Sequence, residues 1–267
     1  MHGDCLELMD KLPSNSVDMI LTDLPYGVLD TEWDKKLPLD QLWTHYRRII
    51  KAGGIVALFA KQGFAFEVGM SNRKAFKYKI VWQKTQGTDF FLANKKPLSI
   101  HEDVLLFVPK GGKTIYNQQR RTGFKPVFKN KEHSTRQLTR NWKLGKRSKF
   151  NFQQSYKGDD TRCPVDVLTF PVVKNNKHST SKPIPLLEWL IRSYTNEGMT
   201  VLDSCMGTGS TGIAAINTGR CFIGIEKHHE FFIDAVESIH EAYQAKQSLL
   251  DIPNDWSKNH RSYQHRL

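Results

Sequence analysis

At 267 residues the chain is long enough for one large α/β domain or for a domain carrying an insertion. Its apolar share of 39%, with six Trp and fifteen Phe, excludes general disorder, and four dispersed cysteines exclude a disulfide framework. The net charge of +12 directs attention to polyanionic partners.

The first ten residues hold Asp4, Glu7 and Asp10, and lack the basic start and apolar stretch of a signal peptide. A short helical stretch (Leu6, Leu8, Met9, Leu12) stops at Pro13, and the apolar run Val17, Met19, Ile20, Leu21 predicts a buried strand ending at Asp23. Leu39 to Ile50 carries apolar residues at helical spacing, with Gly53-Gly54 placed to close the helix. Ile55–Phe59, Tyr78–Trp82 and Val104–Val108 predict strands, and Gln62 to Asn72 a helix. Residues 1–109 thus alternate strand and helix, as in a wound α/β sheet. After Pro109 the periodicity is lost until Asp166-Val-Leu-Thr-Phe170. It resumes with a helix begun near Pro185, a strand Thr200–Asp203, a helix opened by Gly207–Gly212, a strand Cys221–Ile225 and an amphipathic helix from Phe231 to about Leu250. Residues 251–267 read as a polar tail. No apolar run is long enough to span a membrane, so the expectation is a soluble, cytoplasmic protein with no membrane association.

Asp23-Leu24-Pro25-Tyr26-Gly27 puts a carboxylate, a carbonyl fixed by the following proline, and an aromatic ring at a strand end, where open α/β sheets carry their chemistry. Those groups suit a flat, amino-bearing ring, offering two acceptors for NH2 and one face for stacking. An ordinary Pro-Gly turn with a capping Asp has the same string, so the rest of the chain must decide.

Between Lys110 and Asp160 stand fourteen Lys or Arg and three acids, a local excess of +11 that holds nearly all the net charge. Tyr116, Phe124, Phe128, Trp142, Phe150, Phe152 and Tyr156 are interleaved through it. A basic block of this kind is a footprint for phosphate backbones, and the aromatics favour that reading over a merely solvated loop. Any of Arg120, Arg121, Arg136, Arg140, Lys146 or Arg147 could touch phosphates or base edges.

Gly207-Thr208-Gly209-Ser210-Thr211-Gly212 fits G-x-G-x-x-G between strand and helix, and Glu226 ends the next strand, where it can accept from both ribose hydroxyls. The pattern alone serves NAD, FAD or S-adenosylmethionine. Asp203, four residues upstream, and the short chain beyond the loop favour the last. Metal binding is not expected, since neighbouring His228 and His229 do not converge on one ion.

Taken together, these stretches resemble a DNA amino-methyltransferase of the β arrangement, in which the catalytic motif precedes the cofactor motif. Asp23-Leu-Pro-Tyr26 is similar to the catalytic loop [DNS]-P-P-[YFW]. Asp203-Ser-Cys205-Met206-Gly-Thr-Gly-Ser-Thr211 resembles the cofactor loop D-P-F-x-G-S/T-G-S/T-T, and His178-Ser-Thr180-Ser-Lys182-Pro resembles H-x-T-x-K-P along the cofactor's methionine end. Phe222-Ile-Gly-Ile-Glu226, with Lys227 after it, resembles the ribose-binding strand. Gly3-Asp4-Cys5 resembles the turn touching adenine, and His101-Glu102 a family H-E before a strand. Leu24 departs from proline but keeps the carbonyl, whereas Ser204 and Cys205 replace Pro-Phe and lose an aromatic contact.

The resemblance implies a Rossmann-like methyltransferase fold with a circularly permuted, mostly parallel sheet and helices on both faces. Residues 1–109 would be its catalytic half, 110–175 an inserted basic target-recognition region, and 176–250 the cofactor-binding half. It implies S-adenosylmethionine as cofactor and double-stranded DNA as partner, and leaves open a homodimer and an accompanying restriction endonuclease. In the implied mechanism Asp23 and the Leu24 carbonyl accept the two amino hydrogens of a flipped base while Tyr26 stacks on it. No Pro-Cys step exists for carbon-5 cytosine chemistry. An Asp-led loop goes with adenine in the family, although the residues alone would also serve the cytosine amino group or RNA. A nicotinamide oxidoreductase would leave Asp23–Tyr26 unexplained, and a non-catalytic nucleic-acid binder would leave the cofactor motifs idle. Trp33, Asp34, His101 and Glu102 read as structural rather than catalytic.

Overall fold

The computed structural model describes residues 1–27, 34–124, 160–173 and 181–250, which fall into two units, 1–117 with 165–250 and 118–164. The first unit opens with α1 (Cys5–Met9), whose Asp4 cap accepts from Leu6 N at 3.0 Å. β1 (Val17–Asp23) follows, with Val17, Met19, Ile20 and Leu21 fully buried. A strand without a solvent face reads as a continuous apolar run, as central parallel strands do.

α2 (Leu39–Ile49) buries Leu42, Trp43, Tyr46 and Ile49 along one stripe. Burying such a side chain is worth roughly 1.5–3 kcal/mol, which outweighs the few tenths by which aromatic and β-branched residues disfavour a helix. The helix does not end at Gly53-Gly54. It stops at Ile50, where the backbone turns extended (φ −75°, ψ 143°) and β2 (Ile50–Ala60) begins. The glycines serve the strand instead. Gly53 N donates to Gly111 O at 2.6 Å, and a Cβ on Gly54 would stand 2.8 Å from Asp18 O, so a side chain here would push the strands apart.

α3 (Gln62–Ser71), β3 (Phe76–Thr88), a 3-10 turn (Phe90–Leu92) and β4 (Ser99–Phe107) come next. β3 and β4 run well past the apolar stretches that announced them, because their distal halves form a largely exposed hairpin arm without an apolar run. The unit is completed by β5 (Val167–Thr169), α4 (Ile184–Tyr194), β6 (Thr200–Asp203), α5 (Ser210–Asn217), β7 (Cys221–Gly224) and α6 (His229–Leu250). Pro185 does sit in the first turn of α4, where its missing N–H costs nothing.

The seven strands lie in the order β5-β3-β4-β2-β1-β6-β7, all parallel except β4. One apolar cluster joins the sheet to α1, α2 and α3, and a second joins its opposite face to α4 and α5. This is the mostly parallel, doubly covered sheet expected from the sequence. From β1 the chain winds outward through β2, and after β5 it returns on the other side as β6 and β7. The carboxyl ends of β1 and β6 therefore flank a topological switch point, where such sheets bind ligands.

Among the described residues no helix is long and apolar enough to cross a membrane. In the second unit, Arg121 and Arg162 exchange backbone hydrogen bonds (2.9 and 2.8 Å), and both guanidiniums lie over the Phe124 ring, at 5.1 and 5.3 Å. The remaining basic and aromatic candidates of the insertion from Lys125 to Lys157 and the tail 251–267 lie outside the described residues.

Candidate active site

Asp23 closes β1, and the chain then turns through Leu24, buried in the core, to Pro25 and Tyr26. The turn is held from outside by buried Asp34, whose Oδ1 accepts from Tyr26 N (2.7 Å) and Gly27 N (3.1 Å). Tyr26 Oη donates to Asp23 Oδ1 at 2.7 Å, and its ring meets Phe64 of α3 at 5.2 Å. Burial and the neighbouring Asp23 charge push the Tyr26 phenol well above its usual range, so it stays a donor.

The other Asp23 oxygen, Oδ2, takes the Lys182 ammonium. That ammonium also stands 3.4 Å from Glu102 Oε2, while Glu102 Oε1 accepts from buried Lys84 at 2.6 Å. Glu102 Oε2 has ion-pair contact but no hydrogen bond of its own. Burial works against the charges of Asp23, Glu102 and Lys182. It raises the Asp23 carboxyl despite the Lys182 ammonium, but at Glu102 the two lysines prevail and keep the carboxyl below its usual range. At Lys182 the two carboxylates overcome burial and hold the ammonium above the ordinary lysine value.

Beside it, β6 ends at Asp203, 3% exposed, whose Oδ1 accepts from Cys205 N at 3.1 Å. Burial pushes this carboxyl up to about 6, against hydrogen bonds from Thr211 and Thr22. Ser204 bonds Tyr46 Oη (2.6 Å) within the core, and the Cys205 thiol meets that of Cys5. Met206 leads into Gly207 (φ 52°), above which a Cβ would find open space, and Gly209 (φ 87°), which packs against Ala235. Thr208 Oγ1 lies 3.1 Å from Ser181 Oγ, and Ser210 and Thr211 begin α5. Glu226, just past β7, receives Gly207 N (2.9 Å) on Oε2 and His228 N (2.8 Å) on Oε1. The N-terminal turn packs against the same edge: Gly3 N donates to Glu226 O at 2.9 Å, and Lys227 Nζ reaches Asp4 Oδ2 at 3.1 Å.

Asp4, Cys5, Asp203, Cys205, Met206, Gly207, Thr208, Gly209, Ser210, Thr211, Glu226 and Lys227 thus line one edge, with Asp23, Leu24, Pro25, Tyr26 and Lys182 next to them. His178, Thr180 and Trp33 lie outside the described residues. The donor set suits S-adenosylmethionine: an open glycine turn, carboxylates at two successive strand ends and a third at the N-terminal turn. Sequence reasoning weighed Glu102 and Asp34 and set both aside as structural, yet Glu102 is the centre of the buried charges and Asp34 holds the Asp23 turn; Lys84 was not connected to the site. Glu102 carried a signal in retrospect, the first of two acids, Glu102 and Asp103, that stand directly before the apolar run Val104–Phe107. Among the described residues no three His, Cys, Asp or Glu are grouped to hold a metal ion. An apolar hollow of about 380 Å³ beside α6, lined by Phe222, Phe232, Val236 and Tyr243 among others, contains none of these carboxylates.

Residues 17–237 match the family model for N6 and N4 methyltransferases, described as DNA methylase. The chain is similar to the DNA adenine methyltransferase YhdJ of Escherichia coli, at 29% identity over 86% of this chain and 79% of that one. It is also similar to the type II methyltransferase M2.DpnII of Streptococcus pneumoniae, at 26% identity over 86% and 85%. In fold it resembles M1.HpyAVI in complex with SAM (TM-score 0.59, 24% identity, 89% and 97% covered). The cytosine-N4-specific PvuII DNA methyltransferase gives the same TM-score at 16% identity, covering 91% and 90%. With a wound sheet, a strand-end Asp-Leu-Pro-Tyr turn and a glycine edge beside it, the chain belongs to the DNA methylase family.

Proposed function

We propose that the protein methylates the exocyclic amino group of adenine in double-stranded DNA, using S-adenosylmethionine. The observation that carries this reading is the side-by-side ending of β1 and β6. Met19 pairs with Val201 and Ile20 with Leu202, so the Asp23 turn and the Asp203 glycine edge open on one side of the sheet. When bound, S-adenosylmethionine supplies an electrophilic methyl group on sulfur. Asp203, Glu226, the glycine turn and the 3–5 turn would hold it.

The amino nitrogen of a base is a poor nucleophile because its lone pair is delocalised into the ring. Asp23 and the Leu24 carbonyl would accept its two hydrogens and favour a pyramidal nitrogen, with Tyr26 orienting the base by stacking. Both Asp23 oxygens already have partners, Tyr26 Oη and Lys182 Nζ. The second carboxylate at Lys182 resolves this competition. Glu102 Oε2 can take the ammonium as the amino group takes Asp23 Oδ2, and the proton released by the methylated nitrogen then passes to Asp23.

Adenine is preferred because the loop begins with Asp and because the relative with the highest identity cited above is named for adenine. The basic stretch 110–175 serves as the target-recognition region, where guanidiniums over Phe124 already pair charge with a stacking face. The enzyme acts in the cytoplasm, and the name of the type II methyltransferase relative makes a companion restriction endonuclease a natural extension of the reading.

The test is transfer of labelled methyl from S-adenosylmethionine to unmethylated duplex DNA and, in parallel, to RNA, followed by nucleoside analysis. Label in N6-methyladenine is expected. Label in N4-methylcytosine would keep the mechanism and correct the base, and label in RNA alone would overturn the DNA substrate.

A further inference from the structure

The hairpin of β3 and β4 overshoots the rest of the sheet. Asp23 pairs in register with Phe59, Phe59 with Val104, and Val104 with Ile80. Beyond that level β3 runs on to Thr88, which pairs with Ser99 of β4. Because β3 is parallel to β1, the extra length extends past the edge on which Asp23 stands. Even the shorter β4 side, from Val104 back to Ser99, reaches about 17 Å at 3.3 Å per residue.

The tip of this arm is built rather than loose. Leu92 N donates to Asp89 O (2.8 Å), and Lys95 N and Lys96 N donate to Leu92 O (2.8 and 3.0 Å). Asp89 stands in the left-handed region (φ 68°), and Lys61 and Lys96 pin its carboxylate at 3.2 and 2.9 Å. The two lysines also draw the Asp89 carboxyl below its usual range. Yet the largest side chains on this tied backbone face water. Phe91 is 85% exposed and Phe90 67%, with Leu98 and Ile100 exposed on the same arm. Apolar groups displayed on an ordered scaffold mark a surface that something covers.

Charge and position identify the occupant. Between Gln83 and His101 the only acid is Asp89, already neutralised, beside Lys95, Lys96 and the amides of Gln86 and Asn94. The arm projects from the edge of a DNA methylase at which its base must arrive. We propose that Phe90 and Phe91 form a wedge that enters the DNA duplex and fills the gap left by the base turned out into the Asp23 pocket. Apolar side chains inserted between base steps unstack them, and removal of one base from the helix leaves space of aromatic size. This inference rests on the function proposed above.

The test compares the full chain with the double variant Phe90→Ala, Phe91→Ala on two duplexes carrying the site mapped from wild-type-methylated plasmid. In one the target base is normally paired; in the other it stands opposite an abasic position, so that little unpairing remains to be done. On the paired duplex the variant should lose at least about tenfold in methyl transfer, on the abasic duplex less than about threefold. S-adenosylmethionine binding should be unchanged, which reports an intact fold, and Phe90→Leu, Phe91→Leu should retain transfer as an alternative apolar wedge. Wild-type rates in the alanine variant on paired DNA, or equal losses on both duplexes, would overturn the wedge. Absence of transfer by the unaltered protein to any duplex would instead sink the function proposed above, and the wedge with it.

Discussion

At the end of β1 the Asp23 carboxylate is balanced by side-chain groups, Tyr26 Oη and Lys182 Nζ, whereas at the end of β6 Asp203 is held by a main-chain amide and two threonine hydroxyls. Glu226, after β7, follows the second pattern, with both oxygens on backbone N–H groups. Main-chain donors are fixed by the fold and cannot move without unfolding a turn. A lysine on a flexible stem can exchange one carboxylate for another. The contrast suits the two tasks, since a cofactor edge gains from being preformed, while an acceptor pocket must release its own partners when the base arrives.

The comparison can be broken at its strongest point by Asp23→Ala, which removes the acceptor but leaves Lys182 its Glu102 partner. Methyl transfer should fall by about 10³-fold, roughly 4 kcal/mol of barrier, with S-adenosylmethionine binding nearly unchanged. Full activity in that variant would end the assignment of Asp23. Glu102→Gln probes whether the cation is mobile. Turnover should drop about 10- to 100-fold, and stability by about 3 kcal/mol, because Lys84 loses its buried partner. Adding Lys84→Met should recover most of the stability but not the turnover, as read by thermal unfolding beside steady-state kinetics. Recovery of both would reduce Glu102 to a structural role.

Asp203→Asn sharpens the other side. The folded-state value of about 6 lies above the ordinary 3.8, so the native state holds this proton more tightly than the unfolded chain does. Stability from this group is therefore greatest at low pH and falls as pH rises from about 4 through 6. An asparagine does not ionise. The variant should gain up to about 3 kcal/mol relative to wild type at pH 8, and less at pH 5, while binding S-adenosylmethionine more weakly. A melting-temperature difference independent of pH would contradict the buried charge. Last, Lys227→Met breaks an exposed pair with Asp4, and methyl transfer should stay within about twofold.

Much of this contrast could be read from the chain. Asp203 and the glycines announce themselves within nine residues, and Asp23-Leu-Pro-Tyr26 does so within four, because local backbone geometry needs Pro and Gly there. Lys84 gave no such sign, and Lys182 and Glu102, although each stood in a short motif, gave none of their partnership with each other. They meet only because β4 runs antiparallel between β2 and β3 and because Lys182 arrives from the far side of the insertion, facts of tertiary pairing that no local pattern encodes. Asp34 hid for a similar reason, reaching back seven and eight residues to cap the turn. The Gly53-Gly54 pair misled because glycine after an amphipathic stripe ends helices more often than it lets two strands approach.

The position of β1 has a bearing on how the chain comes to be folded. Its outer neighbour β2 follows within a few dozen residues, but its other neighbour β6 joins it across a separation of 182, marked by Thr200 N on Asp18 Oδ2. Closing so large a loop is slow, and it must be done before the sheet has a middle. Until then the nascent chain presents Met19 and Ile20 along an unpaired, apolar strand edge, the kind of surface on which chains associate. Residues 1–109 made alone should therefore aggregate, and supplying 176–250 in trans should rescue them by occupying that edge.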